Sequence, residues 1–224
     1  PVMQQWSLST AHDITTKTLV AETALGHPNG NTNLQGGWVN SSGTVVYAGY
    51  YGYSSVERFT LSTPWDISTK TRTSAFSTGT AGLHSLAVNS DETTLYIGNG
   101  GNSIKQYAMS TAGDLSTASY VTGKDNTSMS SNNRGMDLVA DDFIVVTDTS
   151  DTLRFFKMST PNDINSASQV GTITQSGVSS TCDSLSYVSG YLYASHINGY
   201  VRKFSFIGTM TGGPTYFQPT SQYH

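Results

Sequence analysis

Apolar residues in this chain fall in short alternating runs, and none of them follows a helical stripe. Five runs share one pattern, the first stretched by one residue: Val2-x-x-x-Trp6-x-Leu8, Val56-x-x-Phe59-x-Leu61, Ile104-x-x-Tyr107-x-Met109, Leu153-x-x-Phe156-x-Met158 and Val201-x-x-Phe204-x-Phe206. The first four pass directly into a polar signature: Leu8-Ser-Thr-Ala-His-Asp13-Ile14, Leu61-Ser-Thr-Pro-Trp-Asp66-Ile67, Met109-Ser-Thr-Ala-Gly-Asp114-Leu115 and Met158-Ser-Thr-Pro-Asn-Asp163-Ile164. The fifth lacks the Ser-Thr-x-x-Asp tail. A bias toward Ser and Thr does not by itself keep Asp in register four times. The chain therefore repeats a unit of about 50 residues.

One unit reads as four strands. Ser85-Leu-Ala-Val88 ends in the turn Asn89-Ser-Asp91-Glu92, and Thr94-Leu-Tyr-Ile97 ends in Gly98-Asn-Gly-Gly101. The run Ser103 to Met109 follows, then the Asp114 turn, then Ala118-Ser-Tyr-Val121. Short β-rich runs separated by Gly, Asn and Asp predict an all-β fold with essentially no helix. Four strands per unit of this length predict a β-propeller blade. From the axis outward the strands are called a to d. Strand a runs through Trp38-Val39, Leu86-Val88, Leu138-Ala140 and Leu185-Val188, and strand b through Val45-Tyr47, Leu95-Ile97, Ile144-Val146 and Leu192-Ala194. Both read as continuously apolar, which predicts burial on both faces.

The expected organisation is a single propeller over 1–224, with a half blade at 1–28 and blades at 34–78, 83–124, 134–173 and 183–219. The half blade supplies only c and d. Its a and b have three possible sources: the C-terminal tail, another chain, or a longer parent chain. The preferred reading is about five blades, four complete and one irregular and closing. A four-blade ring with extra strands at one edge is the alternative.

This repeat resembles the tandem β-propeller repeat of marine bacteriophage tail, fibre and other virion-associated proteins. Leu61-Ser-Thr-Pro-Trp-Asp-Ile-Ser-Thr69 matches that signature nearly letter for letter, and Met109 to Ala118 almost as well. Asn89-Ser-Asp-Glu-Thr-Thr94 and Asn40-Ser-Ser-Gly-Thr44 look like its a–b turn, whereas Val139-Ala-Asp-Asp142 and Tyr187-Val-Ser-Gly190 depart from it. The resemblance implies a non-enzymatic virion structural or adhesion protein. Its expected partners are other virion proteins or copies of itself, joined through terminal strands, and host surface glycans. A lectin-like glycan-binding propeller is the alternative, and a propeller hydrolase the third reading.

Composition narrows the classes. Charged residues make up 12% of the chain, net charge is −4, and Lys and Arg do not cluster, so nucleic-acid binding is not expected. The longest apolar runs are like Phe143 to Val146, far short of a membrane helix. Cys182 is the single cysteine and excludes an internal disulfide framework. Pro1 to Thr10 has neither a charged start nor an apolar stretch, so no signal peptide is expected, and the virion location that the resemblance implies would be reached without one.

Candidate chemistry divides into repeated turns and unequal loops. Asp13, Asp66, Asp114 and Asp163 sit in the c–d turns, where an Asp side chain accepts a downstream N–H and Pro64 or Pro161 presets φ. Trp65 occurs in one copy only and reads as packing on its own hairpin or as a glycan platform. The b–c and d–a loops differ between copies, and unequal loops are where function is grafted. They bring forward Tyr50, Tyr51, Tyr53, His84, Asn99, Asn102, Arg134, Asp148, Asp151, Asp183, His196 and Asn198 as ligand-binding candidates. Rings stack, amides hydrogen-bond and Gly permits close approach, which suits a sugar or a protein. His84 and His196 are the histidines placed to meet near a channel mouth, where Asp148, Asp151 and Asp183 could join them. Asp137 is the carboxylate exception on the inner strands. No catalytic motif, metal motif or cofactor fingerprint is present, so no cofactor is expected.

Overall fold

The computed structural model describes residues 2–27, 30, 33–79, 82–100, 103–125, 133–149, 152–175, 181–196, 201–207 and 216–220. The first apolar run is β1 (Val2–Leu8), which pairs with β2 (Lys17–Ala24) in a two-stranded sheet. Four four-stranded sheets follow. The first holds β3 (Leu34–Val39), β4 (Val45–Tyr50), β5 (Ser55–Leu61) and β6 (Lys70–Ser77). The second holds β7 (Leu83–Val88), β8 (Thr94–Asn99), β9 (Ser103–Met109) and β10 (Ala118–Asp125). The third holds β11 (Gly135–Ala140), β12 (Phe143–Thr147), β13 (Thr152–Met158) and β14 (Ala167–Thr174). The fourth holds β15 (Cys182–Val188), β16 (Tyr191–His196), β17 (Val201–Ile207) and β18 (Tyr216–Thr220). Each is an antiparallel meander in chain order, and the four stand in a ring as propeller blades. Strands β3, β7, β11 and β15 line the axis, each beside the next, and β15 returns to β3 over a shorter stretch.

The signature makes the c–d corner by local hydrogen bonding. Asp13, Asp66, Asp114 and Asp163 each accept the N–H of the second residue on and cap a single 3-10 turn. The last hydroxyl of the signature returns to the Asp carbonyl, from Thr16, Thr69, Thr117 and Ser166. Asp114 also accepts the Ser116 hydroxyl, and these bonds hold its carboxyl below the usual carboxylate range. The residue before each Asp has positive φ: His12, Trp65, Gly113 and Asn162. The Trp65 N–H donates to the Gly43 carbonyl, and its ring lies against Gly43, which has room for no side chain.

Apolar clusters fill the joints between neighbouring blades. Tyr47, Leu86 and Tyr107 belong to the first joint, Tyr96, Ile144 and Phe156 to the second, and Val145, Leu185 and Phe204 to the third. The far face of the first blade packs Val46, Tyr50 and Phe59 against Leu25 and Met3 of the half blade. Each fully buried large side chain contributes about 1.5–3 kcal/mol.

The continuous burial expected of strands a and b holds in β4, β7, β8 and β12. It is only partial in β11 and β16, and it fails furthest in β3 and β15, where Val39 is 40% and Val188 45% exposed. These two strands flank the position where a and b of the half blade would stand.

The half blade nevertheless occupies a true blade position. Gln106 on β9 accepts the Ile164 N–H of the next blade's corner and donates to the Asn162 carbonyl. Gln5 on β1 accepts the Ile67 N–H in the same way. On the other side, Lys203 donates to the His12 carbonyl and Tyr193 bonds His12 Nδ1, as Gln106 and Tyr96 do to Asn162. Among the described residues the half blade thus makes the same corner contacts with its neighbours as a full blade does, beside four inner strand pairs.

Candidate functional site at the axial mouth

The sheet registers single out one residue at the start of strand a in three of the four blades. In β3 the partners jump from Leu34 with Tyr50 to Gly36 with Gly49. In β7 they jump from Leu83 with Asn99 to Ser85 with Gly98, and in β15 from Cys182 with His196 to Ser184 with Ser195. The skipped residues are Gln35, His84 and Asp183. In the third blade Arg134 holds the same place, just ahead of β11, with its N–H donating to the Thr147 carbonyl. A bulge leaves its extra residue unpaired and re-aims its side chain.

These four meet at the mouth of the axis. Gln35, Arg134 and Asp183 line an axial pocket floored by Gly36, Ser85, Gly135 and Ser184, with room for about one water molecule. Small residues are required there: a Cβ on Gly135 would lie 2.9 Å from the Leu185 nitrogen, and one on Gly36 3.1 Å from that of Leu86. His84 Nδ1 bonds Gln35 Oε1 at 2.6 Å. Arg134 Nη1 lies 3.6 Å from Asp183 Oδ1, an ion pair too long for a good hydrogen bond. Arg134 Nε and Asp183 Oδ1 are buried and have no hydrogen-bond partner among the described residues. Burial, and then the Arg134 charge, push the His84 pKa down against a smaller upward pull from Asp183, which favours the neutral ring. The half-exposed Tyr51 ring stands at the rim, 5.0 Å from the His84 ring.

A second set of equivalent positions lies at the ends of the b strands, and it is spent on structure. Tyr50 is buried and donates to the Leu25 carbonyl, and burial pushes its hydroxyl pKa up. Asn99 accepts the Ser103 hydroxyl at 2.9 Å. Asp148, fully buried, takes Arg154 at 3.0 Å. His196 Nε2 bonds Gln175 Oε1 at 3.1 Å in the linker ahead of its own blade. Tyr53 stacks on His27 at 4.1 Å. Of the sequence candidates, the structure thus brings His84, Arg134 and Asp183 together with Tyr51 at their edge. It holds Tyr50, Tyr53, Asn99, Asp148 and His196 in contacts of their own. Asn102, Asp151 and Asn198 lie outside the described residues.

Sequence reasoning missed Gln35 as a member of this ring. The signal was present: a polar residue followed by Gly or Ser opens every strand a, as Gln35-Gly36, His84-Ser85, Arg134-Gly135 and Asp183-Ser184. It also missed Glu57, fully buried under the first blade's loop, 3.0 Å from Arg72 and 3.7 Å from His27. Asp137 is buried between β11 and β15 and accepts the N–H groups of Leu138 and Tyr187, so it ties two blades together. Among the described residues no three His, Cys, Asp or Glu side chains gather to hold a metal ion, and no helix is long and apolar enough to cross a membrane.

Comparison with known proteins gives the fold. No protein-family profile and no curated protein matches the chain. Among solved structures it is similar to a putative 6-phosphogluconolactonase from Bacteroides fragilis, with 15% identity and a TM-score of 0.57 over 86% of this chain and 55% of that one. It is similar to U3-55K, with 11% identity and a TM-score of 0.54 over 80% and 50%. The RRP9 WD40 repeats match with 11% identity and a TM-score of 0.53 over 80% and 48%. The chain spans about half the length of each of these structures. At such identities the likeness shows the propeller architecture and nothing of the activity.

Proposed function

We propose that this chain is a non-enzymatic binding and assembly module of a bacteriophage virion, joined to its neighbours through the half blade. The virion assignment rests on the resemblance of the repeated signature. The assembly role is carried by one observation. Strand β1 has β2 on one side and no strand on the other among the described residues, whereas β5, β9, β13 and β17 each lie between two strands. An unpaired edge is a template for another chain's strand. The half-exposed Val39 and Val188 stand beside the same gap. Occupation of Asp137 by backbone N–H groups and of Asp148 by Arg154 supports the non-enzymatic part of the reading.

Two measurements test it together. Light scattering gives a mass above one chain, with β1 amides gaining exchange protection as concentration rises. Peptide analysis of purified particles finds the chain in the virion. A monomer at every concentration that is absent from particles refutes the proposal.

A further inference from the structure

The axial mouth presents hydrogen-bonding groups in an unusual order. His84 Nδ1 donates to Gln35 Oε1 when the ring is neutral, which leaves the Gln35 amide N–H₂ as a donor and His84 Nε2 as an acceptor. Arg134 adds donors, including the buried Nε, and Asp183 adds the acceptor Oδ1. Around the ring the order is donor, acceptor, donor, acceptor. Formal charge cancels, because Arg134 and Asp183 offset each other and the two remaining groups are neutral.

Such a ring selects neither an anion nor a cation. It selects groups that donate and accept at once, which describes a hydroxyl. Two adjacent hydroxyls span the two donor–acceptor pairs, and the water-sized recess beneath admits one of them. The half-exposed Tyr51 ring beside His84 adds aromatic surface on which the C–H side of a sugar can pack. The unequal d–a loops are where the chain varies from blade to blade, and each mouth residue sits at the end of one.

We infer that the axial mouth is a binding site for the vicinal diol of a neutral monosaccharide unit, with Arg134 and Asp183 clasping one hydroxyl and Gln35 and His84 the next. This goes beyond the assembly role of the half blade, and its readout is independent of oligomeric state.

The test is saturation-transfer NMR on the full chain with methyl α-glucoside, methyl α-mannoside and methyl β-galactoside, with acetate and methylammonium as charged probes. At least one glycoside receives saturation, and its affinity falls roughly tenfold in Asp183→Asn and in Arg134→Met, the loss of about one hydrogen bond. Asp183→Asn keeps shape, and its exchange protection in the four blades shows that the fold is retained. Absence of transfer to all three glycosides overturns the inference. So does transfer unchanged in both variants, or tighter binding of acetate or methylammonium than of any glycoside.

Discussion

Burial of Asp137 imposes a pH dependence whose sign and size can be worked out. Its Oδ1 accepts the Leu138 N–H at 2.8 Å and its Oδ2 the Tyr187 N–H at 2.6 Å. Both bonds favour the anion, but burial outweighs them and pushes the pKa up from 3.8 to about 7. Between those values the folded chain keeps a proton that the unfolded chain has released. Stability therefore falls as pH rises from about 4 to about 7, and this contribution is flat above. The span between pH 4.5 and 7.5 amounts to about 3 kcal/mol. His84 works in the opposite sense. Its folded pKa lies below the unfolded one, so its contribution rises with pH until about 6.5. The Asp137→Asn variant removes the first effect and leaves the second. Denaturant unfolding followed by tryptophan fluorescence, run at pH 4.5 and 7.5 on both proteins, isolates it. The wild type loses about 3 kcal/mol more than the variant over this range. A difference below about 1 kcal/mol refutes the burial argument.

Two further perturbations address the corners and the seam. Gly43 has φ +68°, and a Cβ there would lie 2.2 Å from the Trp65 ring. Gly43→Ala thus costs roughly 2–4 kcal/mol from overpacking and left-handed backbone together, and Trp65→Asn in the same chain returns the packing share. Equal melting temperatures of the single and double variants contradict this account. His12→Ala removes the bond to Tyr193 and the ring contact with Tyr191, worth about 1–2 kcal/mol. Its β1 and β2 amides exchange faster while β7 to β14 stay protected, and His12→Asn, which copies Asn162, behaves as wild type. Uniform exchange across all sheets in His12→Ala would count against a separate half blade.

The periodic parts of this fold were legible because they depend on local chemistry. An alternating run such as Ile104 to Met109 can bury one face only as a strand, and the Asp114 corner closes within its own few residues. The mouth was only partly legible. His84, Arg134 and Asp183 stood out as chemical residue types in unequal loops, whereas Gln35 did not. What unites Gln35, His84 and Asp183 is a slip in strand pairing, with Arg134 in the same place ahead of β11, and pairing depends on two segments at once. The same reason hid the roles of Asn99 and Asp148, whose partners Ser103 and Arg154 are ordinary strand residues by pattern. The exposure of Val39 and Val188 was invisible for a different cause. Each has the sequence of a buried strand, and only the arrangement of the ring leaves its face uncovered.

Among the described residues the half blade adds a fifth strand pair to the rim with no counterpart at the hub. Three blade joints and the inner flank of the half blade are sealed by apolar contact, while among the described residues the last joint is held by His12 against Tyr191 and Tyr193, by Lys203, and by the short approach of β15 to β3. A closed hoop shares any pull equally among its joints, but a hoop with one polar clasp concentrates it there. Tension applied to this ring, by a neighbour gripping β1 or by a crowded surface, is relieved first by parting that clasp. The opening occurs at one fixed angular position, so the ring carries a built-in direction despite its repeated blades.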